Sequence, residues 1–597
     1  MKFSCTNNST LITNLEGALF HPIPYENELW LPNKIHCLPM DFFQKIDTMS
    51  FNEIAYTVAK ELIGSEIPEN KLREIIDSSF NFDIPLHTLS ENLHILELFH
   101  GPTFTFKDFG ARFMSKIIKY FIGDKDIDIL VSTSGDTGSA VADAFYEIPN
   151  VKVHILYPKN RISSVQELQI TNYGKNIIAY EVDGNFDDCQ KMVKDTLADT
   201  TLKKLMTFFP ANSISIARLI PQSFYYFWIY AQLKKQKCKI NPIYISVPSG
   251  NLGNITGGII AFKMGLPVKL FIAATNDNKA FGEYLYSNHI SQKKAKHTIS
   301  NAMDIGIPNN LIRLKSIFND NKDMQTKIAS FSISDIETKK TINNVYKKYK
   351  YTLDPHTAVG YSALERYISE NSIENFTGII LATAHPAKFP EVMTRLNAPY
   401  IIPKKIYKMK DSGIKYCIKK DYKTWKNILI KSKNFKNVTL IGMPASGKSY
   451  IASVLSKKNR WNVLDIDRLI EDRYGKRLHK IIEEQGIEEF SKIEEYTAMS
   501  MTGINTIFSP GGSIINSKNA IEYLKSISLV IYLYTPFETI NQRIKNPKKR
   551  GILIKDGETM RDLYNERVPL YEKYAHIIID CSVNNESDIC DIIMKYI

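Results

Sequence analysis

The sequence predicts an α/β protein made of two blocks, each with a largely parallel sheet. Three observations carry that reading. Short β-branched runs alternate with amphipathic helical patterns on both sides of residues 404–436. Glycine-rich turns stand where such a run ends and a helical pattern starts. The stretch between the blocks is rich enough in lysine to read as a solvated linker.

The 597 residues suffice for three or four ordinary domains. With 44% hydrophobic and 23% charged residues the composition is globular, which excludes a disordered or fibrous chain. A net charge of +13 would suit a nucleic-acid partner. However, twelve lysines against Asp411 and Asp421 lie between Lys404 and Lys436, and this stretch supplies most of the excess. No aromatic platform accompanies it, so no nucleic-acid partner is expected. The seven cysteines are scattered, without a CxxC pair, and predict a reducing cytoplasm rather than a disulfide framework. No signal-like N-terminus and no apolar run of membrane length is present.

Residues 1–82 read as a helical cap without a glycine-rich turn. In residues 83–403, strands are expected at Ile127–Val131, Val153–Tyr157 and Ile243–Val247. The first is followed by Ser132-Thr-Ser-Gly-Asp-Thr-Gly138 and the third by Ser249-Gly-Asn-Leu-Gly-Asn254. A turn that opens a helix after a strand presents unpaired N–H groups and a positive dipole end, and therefore suits an anion. Each turn alone is equally an ordinary strand–helix connection. Lys107 lies among Phe104, Phe106 and Phe109. Apolar surroundings disfavour an ammonium and favour the free amine that captures an aldehyde. A surface lysine at a helix start is the plain alternative.

Residues 437–597 open on a strand, Val438–Ile441, with a further strand at Leu529–Leu533. Gly442-Met-Pro-Ala-Ser-Gly-Lys-Ser449 follows and fits G-x-x-x-x-G-K-[ST]. Its backbone N–H groups would cradle phosphate, Lys448 would reach the β- and γ-phosphates, and Ser449 would ligate Mg²⁺.

The strings HGPTFTFKDFGARF, SGDTG, Ala211-Asn-Ser-Ile-Ser215, VPSGNLGN and Leu381-Ala-Thr-Ala-His-Pro-Ala-Lys-Phe389 occur in the order seen in threonine synthases, which residues 1–400 resemble. The resemblance implies a pyridoxal-phosphate enzyme of fold type II, similar to the tryptophan synthase β chain. It implies that Lys107 forms the Schiff base with the cofactor. Gly250, Asn251, Leu252, Gly253 and Asn254 would hold the cofactor phosphate, and Thr383 would stand by the pyridine nitrogen. Ser134, Asp136, Thr137, Asn212 and Ser213 match the substrate-binding positions, the substrate being O-phosphohomoserine. Asn254 departs from the Asp that relatives often carry, with little effect expected. A relative that only eliminates phosphate and releases a keto acid would need the same lysine and loop.

In the second block, Asp465-Ile-Asp467, Glu489–Glu495, Pro510-Gly-Gly512, Arg550–Leu553 and Glu566–Tyr571 resemble shikimate kinase, a P-loop fold of the nucleoside-monophosphate-kinase type. The resemblance implies ATP and Mg²⁺. It assigns Gly442, Ser446, Gly447, Lys448, Ser449, Tyr450 and Arg543 to ATP, and Ser449 with Asp465 to the metal. Asp467 would take the acceptor proton and Arg550 would neutralise the transferring phosphoryl group. Gly511, Gly512 and Arg567 would bind the acceptor. The pattern departs at Ser491, where the family has a second carboxylate-binding arginine, at Pro510 for a glycine, and at Gly551 for a proline. Shikimate is the acceptor that the resemblance implies. Homoserine, or a nucleotide-binding module without activity, are the alternatives, and the oligomeric state stays open.

Overall fold

In the computed structural model the described residues are all except 1, 26–27, 292–293, 410–413, 434, 545–551, 553–557 and 595. The chain divides into two compact units. One contains residues 1–195 and 207–420, the other residues 196–206 and 421–597.

The first unit has two sheets that matter for its site. One runs in the order Ile328–Ser332, Leu270–Thr275, Ile243–Pro248, Thr377–Ala382, Leu93–Glu97, Leu86–Ser90. All its pairings are parallel except the last, an antiparallel hairpin. The other is parallel throughout, in the order Lys415–Lys419, Ile177–Asp183, Val151–Pro158, Ile127–Ser132, Phe208–Pro210. The central strands Ile127–Ser132, Ile243–Pro248 and Leu270–Thr275 are buried at every position, as expected for parallel strands covered on both faces. The apolar runs of Ile127–Ser132 and Ile243–Pro248 made those two legible in the sequence. Residues 1–82, expected to be helical, also hold a small antiparallel sheet of Ile12–Thr13, Phe3–Cys5 and Trp30–Pro32.

The second unit is built on one parallel sheet in the order Asn462–Asp465, Thr506–Ser509, Asn437–Ile441, Leu529–Tyr534, Ile577–Asp580. Leu529–Tyr534 and Asn437–Ile441 fill its centre.

The lysine-rich stretch is folded, which corrects its reading as a bare linker. Lys415–Lys419 adds a parallel strand to Ile177–Asp183, with Lys415 on Glu167 at 2.5 Å and on Glu181 at 2.8 Å. Asp421 caps the helix Tyr422–Ser432 by accepting from Thr424 N. That helix buries Trp425, Leu429 and Ile430, and Trp425 Nε1 donates to Thr196 Oγ1 at 2.9 Å. Lysines dominate the composition because they line the wet faces, while the spacing of Trp425 and Leu429 puts both on one apolar stripe.

No helix among the described residues is long and apolar enough to cross a membrane. All seven cysteines are free thiols.

Candidate active sites

The first unit holds a cleft with a mixed polar and apolar lining. Lys107, Ser134, Asp136, Thr137, Asn212, Ser213, Gly250–Asn254 and Thr383 all line it. Three strand–turn–helix junctions bring them together. The helix Lys107–Ile122 begins on the lysine itself. The helix Asp136–Phe145 follows Gly135, whose φ of 126° only glycine adopts readily. The helix Gly253–Lys263 follows Leu252, held left-handed at φ 59°.

The Ser249–Asn254 turn is a phosphate cradle by its own geometry. Among the described residues no hydrogen bond is made to the N–H groups of Gly250 through Asn254. A side chain at Gly250 would meet Met303 Cα at 3.0 Å, so the backbone must stay bare there. Asn254 serves the turn and not a ligand: its Nδ2 donates to Pro248 O at 2.7 Å and its carbonyl accepts from Tyr226 Oη at 2.8 Å. Asn212 is likewise engaged, exchanging bonds with the backbone of Ser132 at 2.8 and 3.4 Å. Ser213 Oγ and Asn301 Oδ1, by contrast, are buried without a partner.

Burial, reinforced by the Arg218 guanidinium, brings Lys107 down to about 8, with Asp136 opposing. Arg218 is itself 4% exposed, donates through Nη1 to Ala211 O, and is lowered to about 10 by burial. Burial also acts on Asp136 and would raise it, but Lys388, His356 and Gln166 together hold it below the usual carboxylate range. Lys388 is fully buried and donates to Asp136 Oδ1 at 3.2 Å, Thr103 O at 2.8 Å and Gln169 Oε1 at 2.5 Å. One ammonium thus clamps the loop before Lys107 to the helix that carries Asp136. His356 is oriented by Asp354 at Nδ1 and accepts Ala302 N at Nε2. The cleft therefore offers an amine of lowered basicity, two helix N-termini suited to an anion and, among the described residues, unpaired polar atoms, a set that fits an aldehyde cofactor bearing a phosphate.

In the second unit the strand Asn437–Ile441 leads through Gly442–Gly447 into the helix Lys448–Asn459. Gly442, Ala445 and Gly447 have φ of 152°, 64° and 97°, which turn the loop's N–H groups inward. Lys448 Nζ folds over the loop onto Gly442 O and Met443 O at 2.9 and 3.1 Å. Burial, against nearby Asp467 and Asp465, lowers it to about 8. Ser446 Oγ is buried without a partner among the described residues. Ser449 Oγ donates to Asp465 Oδ2 at 3.3 Å, which brings the two side chains together beside the loop. Arg543 Nη1 donates to Ala445 O at 3.1 Å, beside the loop, and Tyr450 is exposed on the helix after it. A side chain on Gly511 would strike Asp467 Oδ1 and Glu494 Oε1, each at 2.7 Å. Gly512 packs on Pro444 and accepts from Tyr571 Oη at 2.6 Å. Arg567 is buried beside Tyr571 and Glu494. Arg550 and Gly551 lie outside the described residues.

Family models match most of the chain. The threonine synthase N terminus covers residues 2–80, pyridoxal-phosphate-dependent enzyme 83–381, and threonine synthase C-terminal 357–415. The threonine synthase of Escherichia coli (strain K12) is 42% identical over 380 residues, which is 63% of this chain and 87% of that protein. The chain belongs to the threonine synthase family.

A solved threonine synthase from Escherichia coli superposes with a TM-score of 0.68 at 36% identity, covering 72% of this chain and 100% of that one. The PLP-bound threonine synthase from Brucella melitensis gives 0.65 at 28% identity, covering 72% and 98%. Residues 444–597 match the shikimate kinase model, so a shikimate kinase-like P-loop domain follows the threonine synthase fold. Sequence reasoning missed Arg218, His356 and Lys388. Lys388 stands inside a string that was singled out, but nothing in one sequence shows that its side chain turns under Asp136. Lys492, next to Ser491, points to solvent and pairs with Glu489 at 3.0 Å.

Proposed function

We propose that the first unit converts O-phosphohomoserine and water to threonine and phosphate with pyridoxal phosphate, and that the second is an ATP- and Mg²⁺-dependent small-molecule kinase. The observation that carries the first half is Lys107, an amine of lowered basicity in a cleft beside a turn whose N–H groups make no hydrogen bond among the described residues. Bound pyridoxal phosphate supplies an aldehyde for the substrate amine and a conjugated ring that accepts electrons from Cα and Cβ. The N–H groups of Gly250–Asn254 hold its phosphate. Thr383, 4% exposed, would offer its ring an uncharged group. Lys107 removes and returns protons at Cα and Cβ of the substrate, which a flexible amine of lowered basicity can do. Ser134, Asp136, Thr137 and Ser213 contact the substrate. Asn212 acts by positioning Ser132.

In the second unit the loop N–H groups and Lys448 hold the nucleotide phosphates, with Ser449 and Asp465 on Mg²⁺. Asp467 receives the acceptor's hydroxyl proton, Arg567 binds an acceptor carboxylate, and Arg550 covers the transferring group. Shikimate is the acceptor that the matched family names. Free thiols throughout support a cytoplasmic location.

Replacing Lys107 by Ala tests the synthase reading. The variant should lose the visible absorbance of the lysine-bound cofactor and all threonine formation. An unchanged spectrum would overturn it.

A further inference from the structure

Among the described residues, the acceptor end of the kinase cleft gathers Asp465, Asp467, Glu471 and Glu494 against two cations, Lys448 and Arg567. Asp467 Oδ1 and Glu494 Oε1 flank Gly511, each 2.7 Å from the point where a side chain would begin, so the two oxygens lie within twice that distance of each other. Asp465 and Glu471 add to the negative field at Asp467. Glu494 is 3% exposed and accepts from Ser513 Oγ at 2.9 Å. No hydrogen bond to the Asp467 carboxylate is made among the described residues. Two cations face this group. Lys448 is committed to the phosphate loop. Arg567 lies against Tyr571, which is bonded to the Gly512 carbonyl. Among the described residues the neighbouring side chains bring no further positive charge: Ser491 is exposed and Lys492 turns outward to Glu489. If Arg567 takes an acceptor carboxylate, Lys448 alone among the described cations still faces both Asp467 and Glu494, and two carboxylates sharing one cation are costly in a dry site.

We propose that the acceptor supplies that charge: the kinase unit phosphorylates a zwitterionic hydroxy amino acid, its ammonium between Asp467 and Glu494 and its carboxylate on Arg567. This rests on the kinase reading above. The γ-phosphorus forms a bond to the acceptor hydroxyl oxygen as its bond to the bridging oxygen of ADP breaks. The hydroxyl proton passes to Asp467 and then to solvent. The product is a phosphate ester of an amino acid, the substrate class of the synthase unit. The chain would then hold two consecutive steps, phosphorylation followed by removal of the same phosphate from carbon.

The test uses the full chain with pyridoxal phosphate, ATP and Mg²⁺, and compares homoserine, 4-hydroxybutyrate and shikimate by ADP release and by phosphorus NMR of the product. 4-Hydroxybutyrate has the same hydroxyl and carboxylate as homoserine but no amine. Homoserine should be turned over with a kcat/KM about 100-fold above 4-hydroxybutyrate, the scale of a lost charge-assisted contact. Glu494→Gln should shrink that ratio to below about tenfold. Shikimate or 4-hydroxybutyrate turned over as well as homoserine would overturn the inference and leave the kinase standing. ADP from none of the three would overturn both.

Discussion

Lys107 and Arg218 set the chemistry at the scale of single residues. The ordinary lysine pKa of 10.5 falls to about 8 here because the amine is desolvated and Arg218 repels a second positive charge. Only the free amine can attack an aldehyde. Capture of pyridoxal phosphate by the apoprotein should therefore quicken about tenfold per pH unit up to about 8 and level off above it. Arg218→Met removes a neighbouring cation, so the midpoint should move upward. A stopped-flow record of the absorbance rise across pH reads both. A midpoint near 10.5 in the native protein, or none of the shift in the variant, would refute the electrostatic role. Lys107 and the cradle were legible because their residues are consecutive or nearly so. Arg218, His356 and Lys388 were not, because chain folding alone brings them from distant segments. Asn254 was read as a weakened charge, whereas its amide is a donor that holds its own turn.

At the scale of elements, close approach explains a glycine that the motif leaves unexplained. Gly110 lies one turn after Lys107 on the same helix face. A Cβ there would meet Arg218 Nε at 2.7 Å and Arg218 O at 3.2 Å. Gly110→Ala would normally strengthen a helix by up to about 1 kcal/mol. The crowding should outweigh this and destabilise the unit by about 1–3 kcal/mol, seen as a lower denaturant midpoint. A higher midpoint would show that Arg218 yields freely. Strand positions in both blocks were readable because buried parallel strands need continuous apolar runs. The strand Lys415–Lys419 was hidden because it buries Ile418 alone. The helix Tyr422–Ser432 was hidden because lysine content overrode the Trp425 and Leu429 spacing.

Across the whole molecule, residues 404–436 contribute structure to both units: a strand to the first and a helix to the second. A chain cut after residue 403 loses the partner of Ile177–Asp183 and leaves Glu181 without Lys415. It also strips Trp425 from Thr196 and Lys426 from Asp199. A chain of residues 1–436 keeps all of these. The shorter chain should melt several degrees lower, since losing one buried tryptophan alone costs about 3–5 kcal/mol. Equal melting temperatures by calorimetry would return the stretch to the status of a linker. The two-block division itself was legible because each block opens its own glycine turn after its own strand. The excursion of residues 196–206 into the second unit was not, because their sequence reads as one more amphipathic helix.

The reaction of O-phosphohomoserine with the purified chain in ¹⁸O-water tests the central claim most directly, with mass spectrometry of both products. Loss of phosphate from carbon followed by water addition at Cβ predicts one ¹⁸O in threonine and none in the phosphate. Label in the phosphate would mean hydrolysis at phosphorus, and an unlabelled-phosphate reaction ending in a keto acid would mean elimination without water addition at Cβ. Either result would contradict the assignment of this cleft.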